Sequence, residues 1–294
     1  MISRRLFSTL KCLRNEATQG IARSGTPPRL ARMQRGLPQK RAIKDVNKVI
    51  AVSSAKGGVG KSTIAVNLAL AFAKRGLRAG ILDTDIFGPS IPTLMNLSGE
   101  PRLTEGNKLL PLTNYGVKAM SMEFLVGKDS HVAWRGPMLQ KALQDLLHNV
   151  EWGGLDVLVL DLPPGTGDVQ LTIAQQIILN GAVIVSTPQS LSLIDSVKGI
   201  NMFKQMQVPI LGMVQNMSLF QCSKCGHEEH IFGHDGVKRT CKEWDVNFLG
   251  DVPLHPLIND SSDHGKPTVV AEPNSSRSKA FEDISTEVAK LIDL

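Results

Sequence analysis

The stretch VIAVSSAKGGVGKST, residues 49–63, decides the fold of this chain. Its first half, residues 49–54, is apolar and β-branched, which reads as a buried strand. Its second half packs Gly57, Gly58 and Gly60 around Val59 and ends on Lys61, Ser62 and Thr63. Glycines let backbone N–H groups turn inward and approach phosphate oxygens without a Cβ in the way. A helical pattern follows, with Ala65, Leu68, Ala69, Phe72 and Ala73 on one stripe, so the helix N-terminus adds partial positive charge. Strand, glycine-rich turn, Lys-Ser and helix in that order make a phosphate-binding loop. Ala55 departs from the usual pattern, which has its first glycine there. The candidate nucleotide contacts are therefore Ala55, Lys56, Gly57, Gly58, Val59, Gly60, Lys61, Ser62 and Thr63. In this set Lys61 places its charge at the β- and γ-phosphates and the Ser62 hydroxyl ligates Mg²⁺.

Outward from this loop, short apolar runs recur at 79–83, 155–161, 182–187, 210–215 and 248–252. Helical patterns intervene near 137–149, 168–179 and 190–206, and one closes the chain at 277–292. Buried strands alternating with helices predict an α/β fold, a doubly wound and mostly parallel sheet covered on both faces. Residues 97–130 break the rhythm and predict a hairpin or irregular insertion. Residues 218–235, rich in Cys, His and Gly, predict a loop.

Carboxylates stand where a nucleotide site needs them. Asp161 ends an apolar run, so it emerges at the carboxyl edge of the sheet, where ligands bind, and it is a candidate to hold Mg²⁺ through water. Residues 163–168, PPGTGD, follow as a candidate switch loop. Asp83 and Asp85 end another strand at the same edge; a strand-end Asp also serves as a turn or cap residue. Asn216 is expected at a strand end, where turn or capping roles are common. An Asn-Lys-x-Asp motif for reading guanine is missing from the sequence, so ATP is favoured over GTP.

The four cysteines are Cys12, Cys222, Cys225 and Cys241. Cys222 and Cys225 form a C-x-x-C pair in the stretch CSKCGHEEH, residues 222–230. Spacing alone leaves several chemistries open. A one-chain zinc site could recruit His227, His230 or Cys241, and a redox dithiol would lack thioredoxin-like order. An iron–sulfur cluster generally takes four thiolates, of which this pair supplies half. A symmetric dimer with the cluster on its two-fold axis supplies the other half. Cys241 falls on an expected helix and reads as a small buried apolar residue.

Composition sets outer bounds. Residues 1–41 hold ten Lys or Arg against the single acid Glu16, leaving 23 basic and 26 acidic residues in 42–294. The excess positive charge thus belongs to the leader, and the body has no basic bulk that argues for nucleic acid. Arg-rich, acid-poor composition, with Ile2, Leu6, Leu10 and Leu13 at helical spacing, predicts a mitochondrial targeting leader over 1–41 and a domain over 42–294. No apolar run approaches the length of a membrane span.

From about Val49 to Leu291 the chain resembles the Mrp/NUBPL family of P-loop ATPases, within the deviant, two-lysine class that includes MinD and the nitrogenase iron protein. The matching motifs are KGGVGKST at 56–63, DTDIFGPS at 83–90, WRGP at 134–137, DLPPGTGD at 161–168, and the segment from Cys222 to Gly233. With its leader the chain resembles the mitochondrial, NUBPL-type branch. The resemblance implies that Lys56 reaches across a homodimer to the partner's nucleotide, that Asp85 orients the attacking water, that Asp83 supports the metal, and that Asn216 reads the adenine edge. It implies a [4Fe–4S] cluster held by Cys222 and Cys225 of two subunits, one per dimer. It further implies delivery to apo-proteins in the mitochondrial matrix during assembly of respiratory complex I, with slow ATP hydrolysis acting as a switch. The rival functions are a MinD-like positioning ATPase and a metal-free or zinc-containing switch protein. The first needs a basic amphipathic tail, which Ala280 to Leu294 does not offer.

Overall fold

A computed structural model describes residues 40–85, 88–126, 136–222 and 224–294. The expected leader through residue 39, Cys12 with it, and Ile86, Phe87, Trp134, Arg135 and Ser223 lie outside the described residues. Lys40 and Arg41, the last two residues of the expected leader, are hydrogen-bonded to the domain: Lys40 Nζ donates to the Met206 carbonyl and Arg41 N–H to the Gln176 carbonyl.

The strands are β1 (Val46–Ser53), β2 (Ala79–Asp83), β3 (Leu112–Asn114), β4 (Val117–Ser121), β5 (Leu155–Asp161), β6 (Gly181–Ser186), β7 (Ile210–Gln221), β8 (Glu228–Glu229) and β9 (Phe248–Leu254). The helices are α1 (Lys61–Lys74), α2 (Ile91–Leu94), α3 (Glu123–Val126), α4 (Gly136–His148), α5 (Asp168–Gln176), α6 (Ser190–Gln205), α7 (Gly236–Trp244), α8 (Pro256–Asp263), α9 (Thr268–Ala271) and α10 (Ser276–Leu291). The sheet runs β3-β4-β2-β5-β1-β6-β7, with β8 and β9 both pairing β7. All pairings are parallel except β3 with β4 and β8 with β7.

Strand residues alternate between two apolar layers because successive side chains point to opposite faces. Ile50, Val52, Val157, Val159, Val183 and Val185 pack against Ile64, Leu68 and Phe72 of α1 and Phe281, Ile284 and Val288 of α10. Ala51, Leu158, Leu160 and Ile184 pack on the other face against Leu146 and Leu147 of α4, Ile173 of α5, and Ile200 and Phe203 of α6. Burying a side chain of this size stabilises by about 1.5–3 kcal/mol, so helices on both faces follow from strands apolar on both faces. The closing helix α10 turns Phe281, Ile284, Val288 and Ala289 into this core, and no helix among the described residues is long and apolar enough to cross a membrane.

Of the two segments expected to break the rhythm, one is as expected and one differs. The 97–130 segment does hold a hairpin, β3–β4, turning through Tyr115 and Gly116 at φ 50° and 79°. Its second strand joins the main sheet beside β2. The 218–235 segment is a loop only in part: β7 runs on to Gln221 and pairs with β8. Asn216 accordingly lies inside a strand rather than at its end. Polar residues interrupt the apolar pattern there because several of them bond to neighbouring segments, as described below.

Candidate functional site

The carboxyl ends of β1, β2 and β5 bring the phosphate loop and three carboxylates to one edge. Gly58 and Gly60 adopt φ of 75° and 81°, a conformation open to glycine at little cost. A Cβ built on Gly57 or Gly58 would meet nothing within 4 Å, and the same holds for Gly165 and Gly167 in the facing loop. The two glycine-rich segments thus leave an open cradle. Gly165 N–H donates to the Ser54 carbonyl at 2.9 Å, and the Ser54 hydroxyl donates to the Lys56 carbonyl at 2.9 Å, which ties the cradle's two sides together. Lys56 itself is exposed.

Lys61 is buried and turns inward. Its Nζ lies 2.5 Å from Asp161 Oδ1 and 3.1 Å from Ser62 Oγ. Asp161 is fully buried, and its Oδ2 has no hydrogen-bond partner among the described residues. Burial raises the Asp161 carboxyl above its ordinary value, against the opposing pull of Lys61. An unpartnered buried carboxylate oxygen beside a hydroxyl and an ammonium fits a hydrated Mg²⁺ and a phosphate. The residues present therefore fit Mg-nucleotide.

Asp83 stands next to Asp161 across the β2–β5 register. Its Oδ1 accepts from Asp85 N–H at 3.0 Å; its Oδ2 accepts from Ser90 N–H at 3.1 Å, Ile91 N–H at 3.3 Å and the Ser121 hydroxyl at 3.3 Å. Burial, then the Asp161 charge, pushes its carboxyl up to about 7. Asp83 thus anchors the loop that carries Asp85, while Asp85 Oδ1 accepts from Gly88 N–H at 3.2 Å.

Two positioning residues escaped the sequence reading. Thr84 clamps β5 from the side, its N–H and hydroxyl both donating to the Asp161 carbonyl at 3.0 and 2.8 Å. Gln170 is buried; its Nε2 donates to the Pro163 carbonyl at 2.5 Å, and its Oε1 accepts from the Ser53 hydroxyl at 3.3 Å. The only signal for Thr84 was its place between two carboxylates; Gln170 had none.

Asn216 reaches the same loop from beneath. Its Nδ2 donates to the Val59 carbonyl at 2.8 Å, and a Cβ on Gly60 would lie 2.1 Å from that nitrogen. Beyond it, β7 continues to the cysteines. Cys222 N–H donates to the His227 carbonyl and Gly226 N–H to the Cys222 carbonyl, both at 2.9 Å, closing a tight turn. Cys225 is exposed and Cys222 half-buried. Hydrogen bonds from the Cys225 and then the Lys224 backbone hold the Cys222 thiol below its ordinary value, a setting that favours thiolate and hence metal binding. His230 Nδ1 lies 3.0 Å from the Ser218 carbonyl, and its ring meets His234 edge-on at 4.3 Å. Among the described residues no group of three His, Cys, Asp or Glu side chains converges as a one-chain metal site requires. Cys241 is buried on α7, its thiol pushed up to about 11 by burial.

With this geometry in hand, comparison with known proteins is direct. The family of the ParA group described as NUBPL iron-transfer P-loop NTPase matches residues 45–289. The Dictyostelium discoideum protein "Iron-sulfur cluster transfer protein NUBPL" is 54% identical over 257 residues, covering 87% of this chain and 80% of the relative. The Arabidopsis thaliana protein "Iron-sulfur protein required for NADH dehydrogenase, mitochondrial" is 49% identical over 246 residues, covering 83% and 79%. A solved structure of a nucleotide-binding protein from Archaeoglobus fulgidus, in complex with ADP, superposes with a TM-score of 0.70 at 38% identity, covering 81% of this chain and 93% of that one.

Proposed function

Since this chain belongs to the NUBPL iron-transfer P-loop NTPase family, we propose that it is a nucleotide-binding iron–sulfur cluster carrier that serves the assembly of respiratory complex I in mitochondria. The single observation that carries the reading is the pairing, on one chain, of a phosphate cradle with a Cys222–Cys225 turn at which, among the described residues, no group of three metal-ligating side chains converges. Two thiolates per chain are half of what a [4Fe–4S] cluster takes, so the cargo is shared: Cys222 and Cys225 of two copies hold one cluster on a two-fold axis. A cluster at a subunit interface is open to transfer, which suits cargo. The clients are apo-proteins, complex I subunits among them, in the matrix, and the segment 1–41 is the leader that directs the chain there.

At the nucleotide end, ATP binds with Mg²⁺, which neutralises phosphate charge. Backbone N–H groups of residues 57–61 take the phosphate oxygens, and Lys61 leaves Asp161 for the β/γ-phosphates. The Ser62 hydroxyl would ligate the ion directly, and Asp161 would hold it through water. Asp85, on the loop anchored by Asp83, orients the water that ends the ATP state. Lys56 extends to the partner's nucleotide and makes dimerisation report ATP.

Anaerobic purification with iron, sulfide and zinc quantified per chain tests the carrier assignment. Four irons and four sulfides per two chains are expected, lost in Cys222→Ala and in Cys225→Ala and kept in Cys241→Ala. One tightly held zinc per chain without sulfide would sink it.

A further inference from the structure

We infer that Asn216 is a positioning residue that couples the phosphate loop to the cysteine turn through strand β7. The inference rests on the carrier reading above for its two ends. What lies between them is read from this chain alone.

The Val59 carbonyl that accepts from Asn216 sits between Gly58 and Gly60, both in the left-handed region. These two glycines are the freest joints of the loop, and their peptides are the ones phosphate oxygens would draw inward. Any reorientation of the Val59–Gly60 peptide must move, or break from, the Asn216 amide. The fit is close on both sides: a Cβ on Gly60 would also lie 3.9 Å from the Met217 terminal methyl.

Strand β7 does not pass Asn216 as a regular strand. Met217 has φ 54°, and the register against β9 shifts between Asn216↔Val252 and Phe220↔Leu254. Four steps on β7 therefore face two on β9, a bulge that interrupts the ladder and bends the strand at this point. Within the bulge the Ser218 hydroxyl donates to the Val252 carbonyl at 3.2 Å, while the Ser218 carbonyl meets His230 Nδ1. Past the bulge, Phe220 and Gln221 pair with Glu229 and Glu228, and this short hairpin carries the Cys222–His227 turn at its tip. About 20 Å of strand thus joins a hydrogen bond under the phosphate loop to the thiols, with one irregular joint between.

The bond has two discrete states, made and broken, which is what a coupling element needs. Nucleotide that favours one state shifts the turn's geometry, and by linkage cargo on the turn shifts nucleotide affinity by the same factor.

The test uses the full chain with its cluster removed. Cys222 and Cys225 are alkylated with iodoacetamide, with and without a non-hydrolysable ATP analogue and Mg²⁺, and read by peptide mass spectrometry. Nucleotide is set at saturation for each variant by calorimetry, so that weaker binding cannot mimic lost coupling. In the wild type, nucleotide should change the alkylation rate by about fivefold or more. Asn216→Asp, isosteric but unable to donate, and Asn216→Ser should fold, by circular dichroism, and lose that response. A wild type that shows no response overturns the inference, as does a response kept by either folded variant. A reciprocal measurement needs no variant: reconstituting the wild-type cluster should shift its nucleotide affinity, and equal affinities with and without cluster overturn the inference. Because alkylation is read on cluster-free protein, failure of the iron assay and failure of the coupling are separate results.

Discussion

Lys61 and Asp161 hold each other in the interior, and most of the residue-scale chemistry follows from that pair. Removing one member of a buried pair leaves the other uncompensated, at a cost of about 3–5 kcal/mol. Lys61→Ala should therefore weaken ATP binding at least about tenfold, through loss of a charge-assisted contact, and also destabilise the fold. The two effects separate by pH. Without Lys61 the Asp161 carboxyl rises further, so the folded state favours its protonated form, and the stability deficit should be larger at pH 8 than at pH 5. Calorimetric titration and denaturant unfolding at both pH values check this. Asp83 gives a second pH signature. Its folded value of about 7 stands above the ordinary value of 3.8 that the unfolded chain would show. Between these values the folded state binds more protons than the unfolded one, so stability falls as pH rises from about 4 to about 7. Asp83→Asn removes the titrating group and should flatten that decline in an unfolding series across the same range. A slope unchanged from wild type would count against the burial argument.

At the scale of elements, the phosphate loop and β7 are fitted to each other through Gly60. Gly60→Ala forces a side chain into the left-handed region and into Asn216 Nδ2, whereas Gly76→Ala meets only the first cost, since nothing lies within 4 Å of its Cβ at φ 86°. We expect Gly76→Ala to lose about 1–2 kcal/mol and keep ATP binding, and Gly60→Ala to lose more and bind ATP poorly. Thermal melts and calorimetry on the two variants make the comparison. This fit also explains how far the sequence could be read. The runs of β1, β2 and β5 were legible because their apolar side chains are buried on both faces, and the loop was legible because its chemistry is contiguous. The far half of β7 was hidden. Asn216 bonds Val59, and Ser218 bonds Val252. Their polarity serves partners distant in sequence, so the local pattern imitates a loop. Thr84 and Gln170 were hidden for the same reason, while Asp161 was legible because a strand end points at a known edge.

For the whole molecule, the exposed Lys56 is the residue whose effect should appear only between chains. Lys56→Ala should leave ATP affinity of the monomer within about twofold, because its side chain is exposed and makes no hydrogen bond or ion pair among the described residues, while abolishing dimerisation in ATP; for scale, a single charge-assisted bond is worth about 1.5–3 kcal/mol. Sizing chromatography with and without ATP decides it, and a variant that still dimerises would refute the role. The strand order has another consequence. β1 lies inside the sheet, its Val52 paired with Asp161 on one side and Val183 on the other, so the first strand of the domain pairs only with strands that lie about a hundred residues or more further on. Until β5 and β6 arrive, it presents two unpaired edges and two apolar faces. Long-range parallel pairing of this kind is slow to form and leaves apolar surface open to aggregation on the way, so refolding yield should fall steeply as chain concentration rises.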